Sequence, residues 1–189
     1  MIDRDLKRSL GQMMKGVQVI GATAPDGDVQ RLYCSHWFTQ VSFEEPIVQA
    51  SVSPKHDTHP VIVASGRFSA SILAGDQVTE GQYFSYPGRR FERRATEYVE
   101  QWDEQGLPIV PNAIAYLACE VFDRRSVGDH DLFLARVTAT REGRLKEPPL
   151  LYSSRLGWRV AGGSAREPGG SVRDFLLARL EPESTPTED

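Results

Sequence analysis

The sequence predicts a domain that is mainly β, a β-barrel or sandwich with short α-helices inserted between the strands. Three observations favour this class. The strand-like runs are short, turn-forming residues separate them, and 189 residues are enough to bury a core without disulfide bonds. Hydrophobic residues make up 40% of the chain and charged residues 25%, as in soluble globular proteins.

The first predicted elements are a helix and a β-hairpin. An amphipathic helix opens the chain and stops at Gly16. Its apolar residues at helical spacing are Ile2, Leu6, Leu10, Met13 and Met14. Strands over residues 17–22 and 29–34 follow, joined by the turn-forming residues Pro25, Asp26, Gly27 and Asp28.

Four more strands are predicted, over residues 47–53, 68–73, 114–122 and 131–140. A short helix over residues 60–65 fits between the first two, with Pro60 suited to its first turn and Gly66 to its end. Residues 83–106 are rich in Arg, Glu and Tyr, so we expect a helix and a loop there rather than a strand.

The predicted core domain covers residues 1–160. Residues 161–189 add a Gly- and Pro-rich linker, a helix that begins near Ser171 and an acidic, Pro-containing tail. We expect the tail, residues 181–189, to be disordered. The chain is therefore predicted to have one functional domain with a C-terminal extension.

Composition and charge argue against some classes of partner. The formal charge of −4 disfavours a nucleic-acid ligand, which needs a basic face. No apolar run approaches the roughly 20 residues of a membrane span, and residues 1–10 lack the apolar core of a signal peptide. We therefore expect a cytoplasmic protein that binds neither nucleic acid nor a membrane.

Cys34 and Cys119 are too few for a disulfide framework and are expected to be buried free thiols.

One cluster of basic residues is expected to lie on a solvated helix face, because acidic residues are interleaved with it. The basic members are Arg89, Arg90, Arg93 and Arg94, and the acidic residues are Glu92 and Glu97.

A polar and aromatic loop precedes the strand-like segment that follows residue 37. Its residues are Cys34, Ser35, His36 and Trp37. Backbone amides and small polar side chains in such a loop can hydrogen-bond the edge of a heteroaromatic ring. Core packing is the alternative for Trp37 and its neighbour Phe38.

A second candidate site precedes the predicted helix start at Pro60. It offers hydroxyl groups, one cation and one imidazole, on Ser51, Ser53, Lys55, Thr58 and His59. Unpaired amides and the macrodipole at a helix N-terminus favour an anion, and a phosphate monoester would fit. A solvated loop is the alternative.

His56 and His59 are three residues apart, a spacing that places both on one face of a helix. Because Pro54 and Pro60 flank them, a helix through both is disfavoured, and Asp57 alone would complete a poor set of metal ligands. A small metal-dependent hydrolase is therefore a remote alternative.

Residues 34–46, CSHWFTQVSFEEP, resemble the signature stretch of the flavin reductase-like, FMN-binding split-barrel family. Three further segments follow in the family's order: Thr58-His59, Ser65-Gly66-Arg67-Phe68 and Gly128-Asp129-His130. The resemblance extends over roughly residues 6–160. It implies a split β-barrel of the Greek-key type.

The resemblance also implies roles for individual residues. In the family, the stretch at residues 34–37 lies against the flavin ring. Trp37 matches a Trp-containing variant of that stretch, whereas Cys34 and His36 depart from its common Thr-Ala-Ser-Ser form. The segment from Ser51 to His59 corresponds to the part of the family that lies by the FMN phosphate. Phe84 corresponds to a position near the cofactor, and His130 to a histidine associated with nicotinamide binding.

The activity that the resemblance implies is hydride transfer from NADH or NADPH to FMN, with FAD as the alternative flavin. Reduced flavin would pass to a partner monooxygenase or another acceptor, and the chain would form a homodimer. No Gly-x-Gly-x-x-Gly motif follows a strand, which agrees with a nicotinamide stacked on flavin rather than held in a Rossmann domain. A non-enzymatic FMN-binding electron-transfer module is the alternative.

Overall fold

The computed structural model describes residues 3–86, 99–102 and 106–162. Three helices lie within these ranges, α1 (Arg4–Leu10), α2 (Thr58–Ser65) and α3 (Val78–Ser85). The strands in the same ranges are β1 (Lys15–Gly16), β2 (Gln18–Thr23), β3 (Gln30–Ser35), β4 (Phe38–Gln40), β5 (Ile47–Val52), β6 (Arg67–Ile72), β7 (Glu100–Trp102), β8 (Leu107–Ile109), β9 (Ala115–Val127), β10 (His130–Glu142), β11 (Leu150–Ser153) and β12 (Gly157–Val160).

The central feature of the described residues is an antiparallel seven-stranded sheet with the strand order β3-β2-β6-β9-β10-β5-β4. The β9–β10 hairpin lies between β5 and β6, so neighbours in the sheet are not neighbours along the chain, as in Greek-key sheets. A smaller sheet has the order β1-β11-β12, and β7 pairs with β8. This architecture confirms the predicted fold class, mainly β with inserted helices.

The short connection between β3 and β4 forces the central sheet to curl. These strands are its two edges, yet only His36 and Trp37 separate them along the chain. Three Cα–Cα steps from Ser35 to Phe38 span at most about 11 Å. Seven strands lying flat would place the edges roughly 29 Å apart. The sheet therefore curls into a half-barrel that brings its edges together at this loop.

Apolar side chains cover both faces of the curled sheet. In β2, Val19 belongs to one hydrophobic cluster and Ile20 to the other, as the alternation of side chains along a strand requires. Helix α2 covers the face that includes Ile20, through Val61 and Ile62. Phe84 of α3, together with β8, covers the opposite face. Because both faces of the sheet are covered, nearly every residue of β2 is buried.

Most predicted strands are confirmed with shifts of one or two residues at their ends. The β9–β10 hairpin is longer than predicted, because β9 continues to Val127. Helix α2 begins two residues before Pro60, and Gly66 ends it in the left-handed conformation with a φ of 67°. The glycine lacks the Cβ that makes this conformation costly, so its predicted role is confirmed.

Two predictions about helices are wrong in their extent. The first helix ends at Leu10, so Met13 and Met14 lie beyond it and are exposed. The Asp3 carboxylate caps it by accepting hydrogen bonds from the amides of Asp5 and Leu6, which fixes its start.

The region predicted as helix and loop, residues 83–106, includes a strand, β7. Its Trp102 packs into the core, and burial of this large ring favours the strand over helix propensity.

Several predictions fall on residues outside the described ranges. They concern the basic cluster at residues 89–94, the linker from residue 163, the helix near Ser171 and the tail. None of the described helices is long and apolar enough to cross a membrane.

Candidate functional site

The structure brings three loops together at one end of the curled sheet. They are the His36–Trp37 connection, the turn between β9 and β10, and the segment from β5 to α2. The amide of Ser51 donates to the Trp37 carbonyl at 2.9 Å, and the Ser53 hydroxyl lies 3.5 Å from the Asp129 carbonyl. The predicted ring-binding and phosphate-binding segments are therefore neighbours in space.

Trp37 and His130 form the aromatic part of this end. Their ring centroids lie 4.8 Å apart at 64°, an edge-to-face contact. The Trp37 side chain remains 52% exposed, whereas large aromatic side chains are usually covered. The His130 ring also contacts the Asp129 carboxylate at 2.8 Å, which fixes its orientation. An exposed indole beside an oriented imidazole is a surface suited to a planar ring.

His36 points away from Trp37 and stacks on Tyr152, with ring centroids 4.3 Å apart. Its Nδ1 atom is buried and has no hydrogen-bond partner among the described residues. Burial, and secondly the charge of Lys15, lowers the pKa of His36 to about 4, so the ring is neutral near pH 7. His36 therefore places a neutral imidazole beside the Trp37 loop.

Tyr152 and Trp158 hold His36 in place. The Trp158 indole N–H donates to Gln82 Oε1 at 3.1 Å, which ties β12 to α3. Gly81 permits this approach, because a Cβ there would lie 3.2 Å from the Trp158 ring. Both aromatic side chains pack against the core.

Three predicted cofactor residues are buried or half-buried. Ser35 is buried and its hydroxyl accepts a hydrogen bond from the Trp37 amide at 3.3 Å, which supports the loop from below. Cys34 is half-buried, and burial raises the pKa of its thiol to about 12, so it is an unreactive thiol. Phe84 is buried in the core. Direct contact of these side chains with a cofactor stays a prediction.

The N-terminus of α2 carries the second candidate group. Thr58 is its first residue, is fully buried, and has a hydroxyl with no partner in the described part of the chain. Ser53 and Lys55 lie just before it on the β5–α2 segment, and Lys55 is exposed. A hydroxyl at a helix N-terminus with a nearby ammonium group suits an anionic ligand.

His59 does not lie in a loop as predicted, because α2 already includes it. Its Nε2 contacts Asp131 Oδ2 at 2.8 Å, and the Ser126 hydroxyl donates to Asp131 Oδ1 at 2.7 Å. We call these three residues the Asp131 network. Hydrogen bonds, first from Ser126 and then from His59, hold the pKa of Asp131 below its usual value. Asp131 is therefore a largely buried carboxylate that stays charged near neutral pH.

The Asp131 network contains the residue types of a hydrolytic triad in the wrong arrangement. Ser126 and His59 both contact the carboxylate, and the serine hydroxyl donates to Asp131 instead of to the imidazole. A nucleophilic serine needs its proton taken by the histidine. The arrangement is therefore suited to holding elements together.

The sequence pattern did not identify Asp131 and Ser126 as site residues. The alternation of side chains along β10 nevertheless places Asp131 on the same inward face as the buried Phe133 and Ala135. A charged residue at an inward position of a strand indicates a partner on a facing element.

The two histidines considered as metal ligands have different partners. His56 stacks on Tyr33 with ring centroids 4.9 Å apart, and His59 contacts Asp131. Residues 3–86, 99–102 and 106–162 contain no group of three or more His, Cys, Asp and Glu side chains placed to hold a metal ion.

Comparison with known proteins gives a consistent result. The model of the family described as flavin reductase like domain matches residues 10–156. The chain is 32% identical to an NADH-dependent flavin reductase of a Rhodococcus species over 133 residues, 70% of this chain and 73% of that protein. It is 28% identical to the FMN reductase (NADH) SmoA of Agrobacterium fabrum over 152 residues, 79% of this chain and 82% of that one.

A solved structure also resembles the chain. The flavin reductase of the styrene monooxygenase from Pseudomonas putida S12 superposes with a TM-score of 0.72 at 26% sequence identity. The match covers 84% of this chain and 97% of that one.

Burial of neutral His36 predicts a loss of stability in mild acid. Between about pH 6.5 and pH 4 the unfolded chain binds a proton at this residue that the folded chain does not, so stability falls as the pH falls. After allowance for solvent screening the effect is about 1–2 kcal/mol. The drop in the free energy of urea unfolding from pH 7 to pH 4.5 should be smaller by this amount in His36→Gln.

Between pH 7 and pH 8 His36 is largely neutral in both states, so the variant and the wild type should show the same pH dependence there. An identical drop in acid would contradict the burial of a neutral ring.

Proposed function

The chain belongs to the flavin reductase-like family, and we propose that it is an NAD(P)H-dependent flavin reductase that works with FMN. One observation carries the proposal. The exposed indole of Trp37, the ring of His130 and the N-terminus of α2 lie at one end of the sheet. A planar ring and a phosphate on the same ligand require these two kinds of group side by side.

The phosphate part of FMN is assigned to the N-terminus of α2. Thr58 fits it, because its buried hydroxyl has no partner in the described part of the chain, a cost of about 1–3 kcal/mol that a ligand oxygen reaching it would offset. Ser53 and Lys55 supply a second hydroxyl and a positive charge. A single compact phosphate site favours FMN, and FAD is the alternative flavin.

The ring part of FMN is assigned to the loop at residues 34–37 and to His130. Trp37 offers an aromatic face, and His36 contributes an imidazole that is neutral near pH 7. Ser35 holds the loop from behind. His130, oriented by Asp129, is proposed to position the nicotinamide of NADH or NADPH.

Bound flavin supplies the chemistry of the reaction, since its ring accepts a hydride from a nicotinamide. The side chains of this protein then bind and orient the two ring systems, which is how proximity lowers the barrier. Hydride transfer needs no nucleophile, and this agrees with a Ser126 hydroxyl that donates to a carboxylate.

We also propose that the chain acts as a homodimer. Helix α1 has seven residues, none of them buried, although Leu6 and Leu10 are apolar. A helix of this length is unstable in water without packing. An apolar pocket of about 550 Å³ lined by Phe38, Val48 and Leu117 also lies open on the sheet. A second copy would cover such surface, and sedimentation equilibrium at the monomer mass of 21.1 kDa would contradict this.

A partner oxygenase is the proposed acceptor of reduced flavin. The support is that one similar structure is named as the flavin reductase of a styrene monooxygenase. No described contact selects a particular oxygenase, so the proposal extends to this class of partner alone.

The test is the visible absorbance of FMN mixed with the purified protein, first without oxygen and then in air. We expect a shift of the flavin band on binding, bleaching when NADH or NADPH is added, and repeated turnover once air is admitted. A bound flavin that neither nucleotide bleaches would favour the electron-transfer module. The absence of any spectral shift or turnover would contradict the flavin assignment.

The phosphate assignment is tested by Thr58→Val, which removes the hydroxyl and keeps the shape. We expect the dissociation constant for FMN to rise about tenfold, the effect of one hydrogen bond to a charged group. Binding of riboflavin, which has no phosphate, should not change. The free energy of unfolding should not fall, because an unpaired buried hydroxyl is replaced by a methyl group.

Thr23→Val is the matched control, since its hydroxyl binds the Gly106 carbonyl far from this loop cluster. Equal losses for FMN and riboflavin in Thr58→Val, or no loss for either, would contradict the phosphate site.

A further inference from the structure

Asp131 joins the two halves of the proposed flavin site, although it belongs to neither. On one side its carboxylate contacts His59, which follows Thr58 in the first turn of α2. On the other side it follows His130 directly in β10, and Ser126 of β9 holds it across the hairpin. Both carboxylate oxygens are therefore occupied by protein groups from separate elements.

Asp131 and His130 lie on opposite faces of β10. Asp131 lies on the inward face with Phe133, and the ring of His59 packs edge-on against Phe133 at 5.4 Å. His130 lies on the opposite face, against Trp37. The Asp131 side chain is only 10% exposed, so its hydrogen bonds are not in competition with bulk water.

No other described hydrogen bond or ion pair joins the side chains of α2 to the β9–β10 hairpin at this end. The nearby link of Ser53 to the Asp129 carbonyl is long at 3.5 Å and lies outside the helix. The charge-assisted contact of His59 with Asp131 is short and buried. Together with the packing of Val61 and Ile62 in the same cluster as Phe133, it fixes the first turn of α2 relative to the hairpin.

We propose that Asp131 is a positioning residue, which holds the first turn of α2 at the distance from His130 and Trp37 that one FMN molecule needs to reach both. It acts through His59 and touches no ligand itself. The proposal rests on the proposed function, since it concerns how that site distinguishes FMN from riboflavin.

The experiment compares FMN with riboflavin in Asp131→Asn, which keeps the side-chain shape and removes the charge. We expect the ratio of the riboflavin to the FMN dissociation constant to fall about tenfold, since one charge-assisted hydrogen bond is lost. The KM for FMN should rise by a similar factor with NADH as donor, while kcat at saturating FMN stays within about twofold. A general loss of stability would not change this ratio in the folded protein.

Asp123→Asn is the matched control. Asp123 lies on the same hairpin and pairs with Arg125 at 2.8 Å, but it has no described contact with α2, so its ratio should equal that of the wild type. Ser126→Ala removes one support of Asp131 and should lower the ratio in the same direction by a smaller factor. If Asp131→Asn does not fold, the ratio measured for Ser126→Ala tests the positioning role of Asp131 instead.

The outcomes are distinguishable. A wild-type protein that binds no flavin would overturn the proposed function and this inference with it. Wild-type binding together with an unchanged ratio in Asp131→Asn, or in Ser126→Ala alone if the first variant is unfolded, would overturn this inference and leave the proposed function standing.

Discussion

The connection of two residues between β3 and β4 is the constraint on which the site depends. Because these strands are the two edges of the central sheet, His36 and Trp37 can join them only if the sheet curls. Curling brings the edge formed by β4 and β5 next to the last residue of β3. It places the β9–β10 turn and the segment before α2 beside the connection as well. The loop that is proposed to bind the ring is thus also the loop that closes the sheet.

Two ionisable groups near this loop differ in charge near neutral pH. His36 lies among aromatic rings and has no carboxylate partner among the described residues, so burial favours its neutral form. Asp131 is also largely buried but accepts hydrogen bonds from Ser126 and His59, and it keeps its charge. Hydrogen bonds to the charged form of Asp131 offset its loss of hydration, and the described contacts of His36 provide no such bond to a charged ring. A neutral group therefore lies beside the proposed ring site, and a charged one joins the elements behind it.

Much of the fold and part of the site could be predicted from sequence. Alternating apolar residues and turn clusters predicted most strands, and the family-like segments predicted Trp37, His130 and the region of α2 as parts of the candidate site. Local patterns did not reveal β7, since the burial of Trp102 depends on distant strands. They placed His59 in a loop, because Pro60 suggested a helix start that lies two residues earlier. The partner of His59 is 72 residues away, and spacing along the chain contains no information about such a pair.

The most direct test of the account is the ¹⁵N–¹H spectrum of the three tryptophan indole groups during titration with FMN. Trp37 is exposed at the proposed ring site, whereas Trp102 is buried near the opposite end of the β2–β3 hairpin. The account predicts a large shift of the Trp37 indole signal that saturates with flavin binding, and little change for Trp102. A Trp37 signal that does not move at saturating FMN would contradict the claim that the sheet-closing loop is the flavin site.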